Sequence, residues 1–232
     1  MPDLCIVLPC TEKKTGWGKL EMEPVLLTKP GWLPGAAWLE KGREVIQPAC
    51  AVQHGVDPVP AMRLYTGLIF QGGLTYDLIR EMTEGRIDVL ILSGCYGVVH
   101  GSEPIRPYES DLDSHTLRHW IDHHIGEVIA DFFQARGTRQ AVGFFTTSSN
   151  YSGLLAKAAD VLSERGSSGI QVGYYTVPYG GRAFKTPPAL RAALFPLLES
   201  VESAEQLVKD NQVVHYSDMK VVYQRLYPEA SE

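Results

Sequence analysis

Residues 88–112 read DVLILSGCYGVVHGSEPIRPYESDL, and the opening run decides how the chain is organised. Asp88–Ser93 is apolar, of strand length, and bounded by glycine, which marks a buried strand. The chain then leaves through Gly94 and Gly97 and crowds Tyr96, Glu103, Arg106, Tyr108, Glu109 and Asp111 into one proline-pinned loop. A connection built only to turn the chain is shorter and blander, so this loop is a candidate site.

Working outward, three more strand-length runs share this character: Leu4–Pro9, Ala141–Thr147 and Gln171–Val177. Between them lie segments of helical period. Ala61–Met82 is expected to form two helices separated at Gly72-Gly73. The stretch after Ser114 places Leu117, Trp120, Ile121, Ile125, Val128, Ile129 and Phe132 on one side, predicting one amphipathic helix that stops near Gly137. Asn150–Glu164 predicts a third helix, and Pro187-Pro188 opens a fourth through Leu190, Leu194, Leu197 and Val201. The C-terminal segment, 204–232, is expected to be helical on Met219, Val222, Tyr223 and Leu226. This alternation predicts an α/β fold: a mostly parallel, doubly wound sheet with helices on both faces, as a single domain over residues 1–232. Residues 15–58, rich in Gly, Pro and Trp, are too long for an ordinary connection. They read as an N-terminal insertion: a lid, a partner-binding element, or a decoration packed by Trp17, Trp32 and Trp38.

Composition bounds the function. At 232 residues, 44% hydrophobic and 21% charged, the chain is of ordinary globular type. No run reaches the roughly 18 apolar residues of a membrane span, and MPDLCIVLPC lacks a basic start and a cleavage site, so the cytoplasm is the expected compartment. The four cysteines, at 5, 10, 50 and 95, show no C-x-x-C spacing, which indicates neither a zinc knuckle nor a disulfide framework. A formal charge of −6 argues against a polycation that wraps phosphates indiscriminately, while leaving room for a local basic groove.

In an open α/β sheet the ligand site lies beyond the carboxyl ends of the strands. Those ends read Pro9-Cys10-Thr11-Glu12-Lys13-Lys14, the 93–112 loop, Thr147-Ser148-Ser149-Asn150-Tyr151, and Pro178-Tyr179-Gly180-Gly181-Arg182. All four are dense in hydroxyls, amides, aromatics and charges, while the opposite ends are not. Simpler roles stand beside each functional one. Thr11 or Ser149 can cap a helix. Lys13 and Lys14 are either solvated surface or an anion site, and Gly180-Gly181-Arg182 lacks the rest of a nucleotide fingerprint. Glu103, Glu109 and Asp111 are either mutually solvated charge or, partly buried, a source of one usable base. His115, His119 and His123 fall at metal-compatible spacing, but sit roughly 200° around the helix from Leu117, Ile121 and Ile125. They read as an outward polar stripe. Cys10 and Cys95 read as small buried packers at strand ends.

Four segments in order, PCTEKK, RLYTGLIF, ILSGCYGV and EPIRPYESDL, resemble the YaaA-like group of small bacterial and phage proteins, often labelled peroxide-stress proteins. There the segments usually read PCS-x-x-K, A-R-x-L-Y-x-G-x-L-F, I-L-S-A-K-x-G-L and E-x-I-x-P-Y-D-x-x-L. The resemblance covers roughly residues 4 to 160 with the insertion excluded. This chain departs at Gly94-Cys95-Tyr96, where the usual lysine is absent, and at Glu109, where Asp is usual. The resemblance implies a setting of DNA, oxidative stress and modified nucleobases. The expected sheet is also similar in outline to the uracil-DNA glycosylase superfamily, an analogy of fold alone.

Taken together, these readings predict an N-glycosidase that removes a nucleobase, most simply a modified one, from DNA. The alternatives are a non-enzymatic DNA-binding stress protein and a glycosidase acting on free nucleosides or nucleotides. Glu109 is expected to orient water and support the sugar cation, with Glu103 and Asp111 in reserve and Asn150 reading the base edge. The substrate-binding set is Cys10, Thr11, Lys13, Lys14, Tyr65, Ser93, Gly94, Tyr96, Arg106, Tyr108, Tyr151, Tyr179 and Arg182. Within it, Tyr96 and Tyr108 are suited to stacking, and Lys13, Lys14, Arg106 and Arg182 to phosphates. The expected partner is DNA or a nucleotide, and no metal, cofactor or membrane is required. Protein partners are left open.

Overall fold

The computed structural model describes residues 2–71, 73–145, 149–167, 169–177, 186–199, 213–217 and 219–227. The elements begin with β1 (Leu4–Pro9), α1 (Ala36–Ile46), β2 (Val59–Pro60), the single turn α2 (Ala61–Leu64) and α3 (Leu74–Thr83). Next come β3 (Ile87–Ser93), β4 (Gly97–His100), β5 (Pro104–Ile105), α4 (Ser114–Asp122) and α5 (Ile125–Arg136). The chain continues through β6 (Gln140–Phe144), α6 (Asn150–Glu164), β7 (Gln171–Thr176), α7 (Thr186–Glu199), β8 (Val213–Tyr216) and β9 (Met219–Tyr227).

Seven strands form one sheet in the order β4-β3-β1-β6-β7-β9-β8, and β2 pairs with β5 apart from it. The four central strands β3, β1, β6 and β7 run parallel. Their sequences explain the placement: LCIVLP of β1 is buried except at its last residue, and IDVLILS of β3 is buried throughout. Strands covered on both faces read as continuous apolar runs. The edges differ. β4 returns antiparallel to β3, and the β8–β9 hairpin lies antiparallel beside β7. The helices fall into two packing groups, α1 with α4, α5 and α6, and α3 with β3 and α7. No described helix is long and apolar enough to cross a membrane.

The sequence-based expectations are met for β1 and for α6, whose bounds coincide with those predicted. Three others are corrected. The loop expected after Ser93 starts as a hairpin, because Gly97 takes φ +70° and lets the fully buried Val98–His100 fold back on β3. The single helix expected after Ser114 is two, broken where His124 adopts φ +55°. The helix expected on Met219, Val222, Tyr223 and Leu226 is strand β9. There Met219, Val221 and Tyr223 are buried while Lys220 and Gln224 are exposed, a period of two. In the Ala61–Met82 region the first helix shrinks to α2, and Gly73 at φ +86° precedes α3. Residue Val201 lies outside the described residues.

The 15–58 insertion is built into the fold through α1. Its Gly35 N–H donates to Asp131 Oδ2 at 2.7 Å, and Leu27, Leu33 and Leu39 are buried. Arg43 donates to Glu103 Oε1 at 2.6 Å and to the carbonyls of Tyr96 (3.0 Å) and Val98 (2.7 Å). Of the three tryptophans expected to pack it, Trp32 meets Phe132 edge-on and Trp38 lies against His124. Trp17 is instead 84% exposed. The sheet edge is locked by a second network: buried Asp88 accepts from Arg136 at 2.8 and 2.9 Å and pairs with His100 at 3.2 Å. Burial raises the Asp88 carboxyl, but the hydrogen bonds from His100 and Arg136 outweigh it and hold the group below the usual carboxylate range.

Breaking a buried ion pair on one side leaves an uncompensated charge. Arg43→Ala is therefore expected to lower unfolding free energy by about 3 kcal/mol, read by urea denaturation. Because the folded Asp88 pKa is depressed, its contribution is complete above about pH 4 and disappears as the pH falls below that. Asp88→Asn should flatten this acid limb of a stability profile measured at fixed urea.

Candidate functional site

The sheet order fixes where a ligand can sit. From β1 the chain passes to β3 on one side, and later returns to place β6 on the other side of β1. Such a reversal opens a crevice at the carboxyl ends of the two diverging strands. A cavity of about 530 Å³ occupies that position, within the size range of small-ligand sites. Pro9 and Cys10 line it from the end of β1, Phe144 and Phe145 from β6, and Ser149 and Tyr151 from the start of α6. Gly67, Ile69 and Gln71 close it from the link between α2 and α3, Leu190 from α7, and Thr11, Glu12 and Lys13 from the mouth.

The wall is aromatic. The Phe145 and Tyr151 rings lie near-parallel, 14° apart with centroids 6.5 Å apart, and the Tyr151 hydroxyl meets Cys10 Sγ at 3.1 Å. The Ser149 hydroxyl precedes α6 but makes no capping bond, and its Oγ is buried with no partner among the described residues. A buried hydroxyl without a partner is costly, and Ser149 is among the cavity-lining residues.

Beside the cavity runs a chain of buried hydroxyls. Tyr65 and Tyr108 share a hydrogen bond of 2.9 Å, Tyr108 and Ser93 one of 2.7 Å, and Ser93 Oγ accepts from the Tyr96 N–H at 2.9 Å. Burial first, then the nearby Cys10 sulfur, push the Tyr65 and Tyr108 phenols well above their usual range. Tyr151 is raised for the same reasons. Lys14 links this chain to the mouth: its Nζ lies 4.2 Å from the Tyr108 ring centroid and donates to the Glu12 carbonyl at 3.3 Å. From the insertion, Cys50 accepts the Glu109 N–H on its carbonyl at 2.8 Å. Its thiol is drawn down to about 7, first by a hydrogen bond with Cys95 and against burial, which raises it.

The predicted residues divide into three sets. Cys10, Thr11, Lys13 and Tyr151 line the cavity. Lys14, Tyr65, Ser93, Tyr96 and Tyr108 form the adjoining network. Gly94 and Arg106 serve structure. Thr11 caps no helix, since the next one, α1, starts only at Ala36; its hydroxyl donates to the Lys13 carbonyl and accepts from the Gly67 N–H. Gly94 packs against the Asp111 carbonyl at a distance that excludes a side chain. Arg106 donates to the Val56 carbonyl at 3.1 Å, which turns it toward the insertion.

Among the expected catalytic groups, Glu103 follows the β3–β4 hairpin and is buried, its Oε1 accepting from Arg43. Asn150 Nδ2 donates to the Leu112 carbonyl at 2.7 Å, tying α6 to the 103–112 loop rather than lining the cavity. That bond brings the two loops to one rim. Glu109 and Asp111 are exposed on that loop and are not among the cavity-lining residues. Thr147, Ser148, Tyr179 and Arg182 lie outside the described residues. His119 and His123 face α1 as well as solvent, His119 Nε2 bonding the Gly42 carbonyl at 2.9 Å. Among the described residues no cluster of three or more His, Cys, Asp and Glu could hold a metal ion.

Sequence reading missed Glu12, Gln71, Ile69, Phe144, Phe145 and Leu190 as cavity residues. Glu12 lay in the quoted strand-end motif and Phe145 at the end of a predicted strand, so position was the available signal for both. Gln71 carried none. No protein-family model matches the chain, and no curated protein matches it.

Because the buried phenols are held above their usual range, they should stay neutral while the protein remains folded. An absorbance titration at 295 nm is expected to show Tyr65 and Tyr108 ionising only together with alkaline unfolding.

Proposed function

We propose that the cavity binds a nucleobase and that the protein is an N-glycosidase, cleaving the bond between that base, in modified form, and the sugar of DNA. The observation that carries this reading is the join of an apolar, aromatic-walled cavity to a mouth bearing Glu12 and Lys13, at the crevice between β1 and β6. A planar ring suits the Phe145–Tyr151 wall, and the unpartnered Ser149 hydroxyl offers a contact to its polar edge.

In this reading the C1′–N bond breaks with its electron pair leaving on the base, while positive charge develops at the sugar. The Glu12 carboxylate supports that charge and accepts a proton from the water whose oxygen bonds to C1′. The proton finally rests on the departed base nitrogen. Lys13 and the first amides of α6 favour the negative charge on the leaving base. Glu12 thus takes the first role that sequence reading gave Glu109, because Glu12 lines the cavity and Glu109 does not. Glu109 follows Tyr108, over which Lys14 sits, and stands as the second carboxylate of the rim.

Membership of the YaaA-like group is part of the same proposal. It is supported by contact among the motif segments: the Cys10 N–H donates to the Leu92 carbonyl, Lys14 bridges to Tyr65, and Tyr65, Ser93 and Tyr108 share hydrogen bonds. The doubly wound, single-domain organisation and a cytoplasmic location belong to the reading too, the former supported by the two helix groups.

Purified protein incubated with modified and plain DNA is expected to generate abasic sites, scored by alkaline strand cleavage. Glu12→Gln should lower the rate at least about a hundredfold with DNA binding retained. Base release from free nucleosides but not from DNA would move the activity to the smaller substrate. Release from neither would overturn the proposal.

A further inference from the structure

The cavity at the β1–β6 crevice has neighbours. A second, of about 610 Å³, shares Gln71 with it, and a third, of about 280 Å³, shares Lys19 and Arg63 with the second. The three follow one another along the seam between the start of the insertion and the α2–α3 segment. A mononucleoside has no use for a run of this length.

The seam is built. The Gly16 N–H donates to the Leu64 carbonyl at 3.1 Å, the Thr66 N–H to the Lys13 carbonyl at 3.1 Å, and Lys14 bridges to Tyr65. A Cβ on Gly16 would fall 1.3 Å from the Arg63 carbonyl oxygen, so only glycine allows this approach. That contact fixes the backbone immediately before Trp17. Trp17 is 84% exposed and Tyr76 69% exposed, both lining the second cavity. Large aromatic rings left bare in one cavity mark a recognition surface rather than a packing accident.

Arg63 supplies an independent observation. Its guanidinium carbon stands 5.7 Å from the Tyr76 ring centroid, while its Nε is buried and has no hydrogen-bond partner among the described residues. A buried donor without an acceptor is rare in a folded chain, and the Arg63 side chain lines both the second and the third cavity, where a phosphate would meet its charge. Lys19 stands in the same cavity. In the third cavity the acids are partly engaged already, Glu84 by Arg86.

Exposed rings interleaved with cations are what single-stranded nucleic acid requires: bases stack on aromatic faces, and phosphates take the positive charges. A protein partner also favours Trp, Tyr and Arg. Continuity with the base-sized cavity through Gln71 favours a strand, one residue of which enters that cavity.

We propose that the groove from Gln71 to Lys19 binds single-stranded nucleic acid flanking the target base. Trp17 and Tyr76 stack on unpaired bases, and Arg63 and Lys19 hold the backbone. The inference rests on the reading of the first cavity as a base site and adds the form of the substrate: an unpaired strand, ahead of a duplex or a free nucleoside.

The test titrates the full chain with a fluorescent single-stranded oligonucleotide of about 12 nucleotides, against a duplex of the same sequence, at several salt concentrations. Single-stranded DNA should bind more tightly than duplex. Trp17→Ala and Tyr76→Ala should each weaken binding by about tenfold, and Arg63→Gln should reduce the salt dependence, with circular dichroism unchanged. Oligonucleotide binding that ignores these substitutions would overturn the groove assignment, even if base release is observed. So would a Trp17-dependent protein partner with no oligonucleotide affinity. Trp17-dependent strand binding without any base release would uphold the groove and reject the glycosidase.

Discussion

Three buried hydroxyls, those of Tyr65, Tyr108 and Ser93, hold together segments far apart in the sequence: the link after α2, the loop after β5 and the end of β3. The constraint is strict because phenols at 1–2% exposure need partners inside the protein, and each of these provides the other's. The shape of the rim follows from it. With Tyr108 anchored inward, Lys14 lies over its ring and Leu112 reaches the amide of Asn150. The mouth of the cavity therefore borders a polar core whose Tyr65, Tyr108 and Ser93 are not among the cavity-lining residues.

A single loop places its acids in different environments. Glu103, Glu109 and Asp111 lie within a few residues, yet the β3–β4 hairpin sends the first down to Arg43 and leaves the other two outside. Arg43 comes from the insertion, so the segment that is least legible in sequence fixes the chain that is most legible. Environment rather than residue type assigns the role of each carboxylate.

Much of the fold was readable because β1 and most of β3 are apolar runs bounded by glycine or proline, a pattern with one simple interpretation. What escaped reading was settled by contacts at long range. In β9, Met219, Val222, Tyr223 and Leu226 satisfy a helical period, while Met219, Val221 and Tyr223 satisfy a strand period. Pairing with β7 and β8 selects the latter. In the α4–α5 region the apolar spacing runs on unbroken, but His124 takes a left-handed conformation that no pattern of hydrophobicity announces. The site was legible as a set of strand ends. It was not legible as a cavity, because the lining of the crevice depends on Phe145, Gln71 and Leu190, which become neighbours only in three dimensions.

The strand order also governs how the chain is made. β1 emerges first, yet its partners are β3, starting at Ile87, and β6, starting at Gln140. During synthesis this wholly apolar segment waits for most of the sheet, and the cost of closing such large loops falls before any pairing rewards it. Nascent chains released early would expose an unpaired LCIVLP edge, the type of segment that associates with its own copies. Slow, late consolidation around β1 is thus the kinetic counterpart of the central position that creates the crevice.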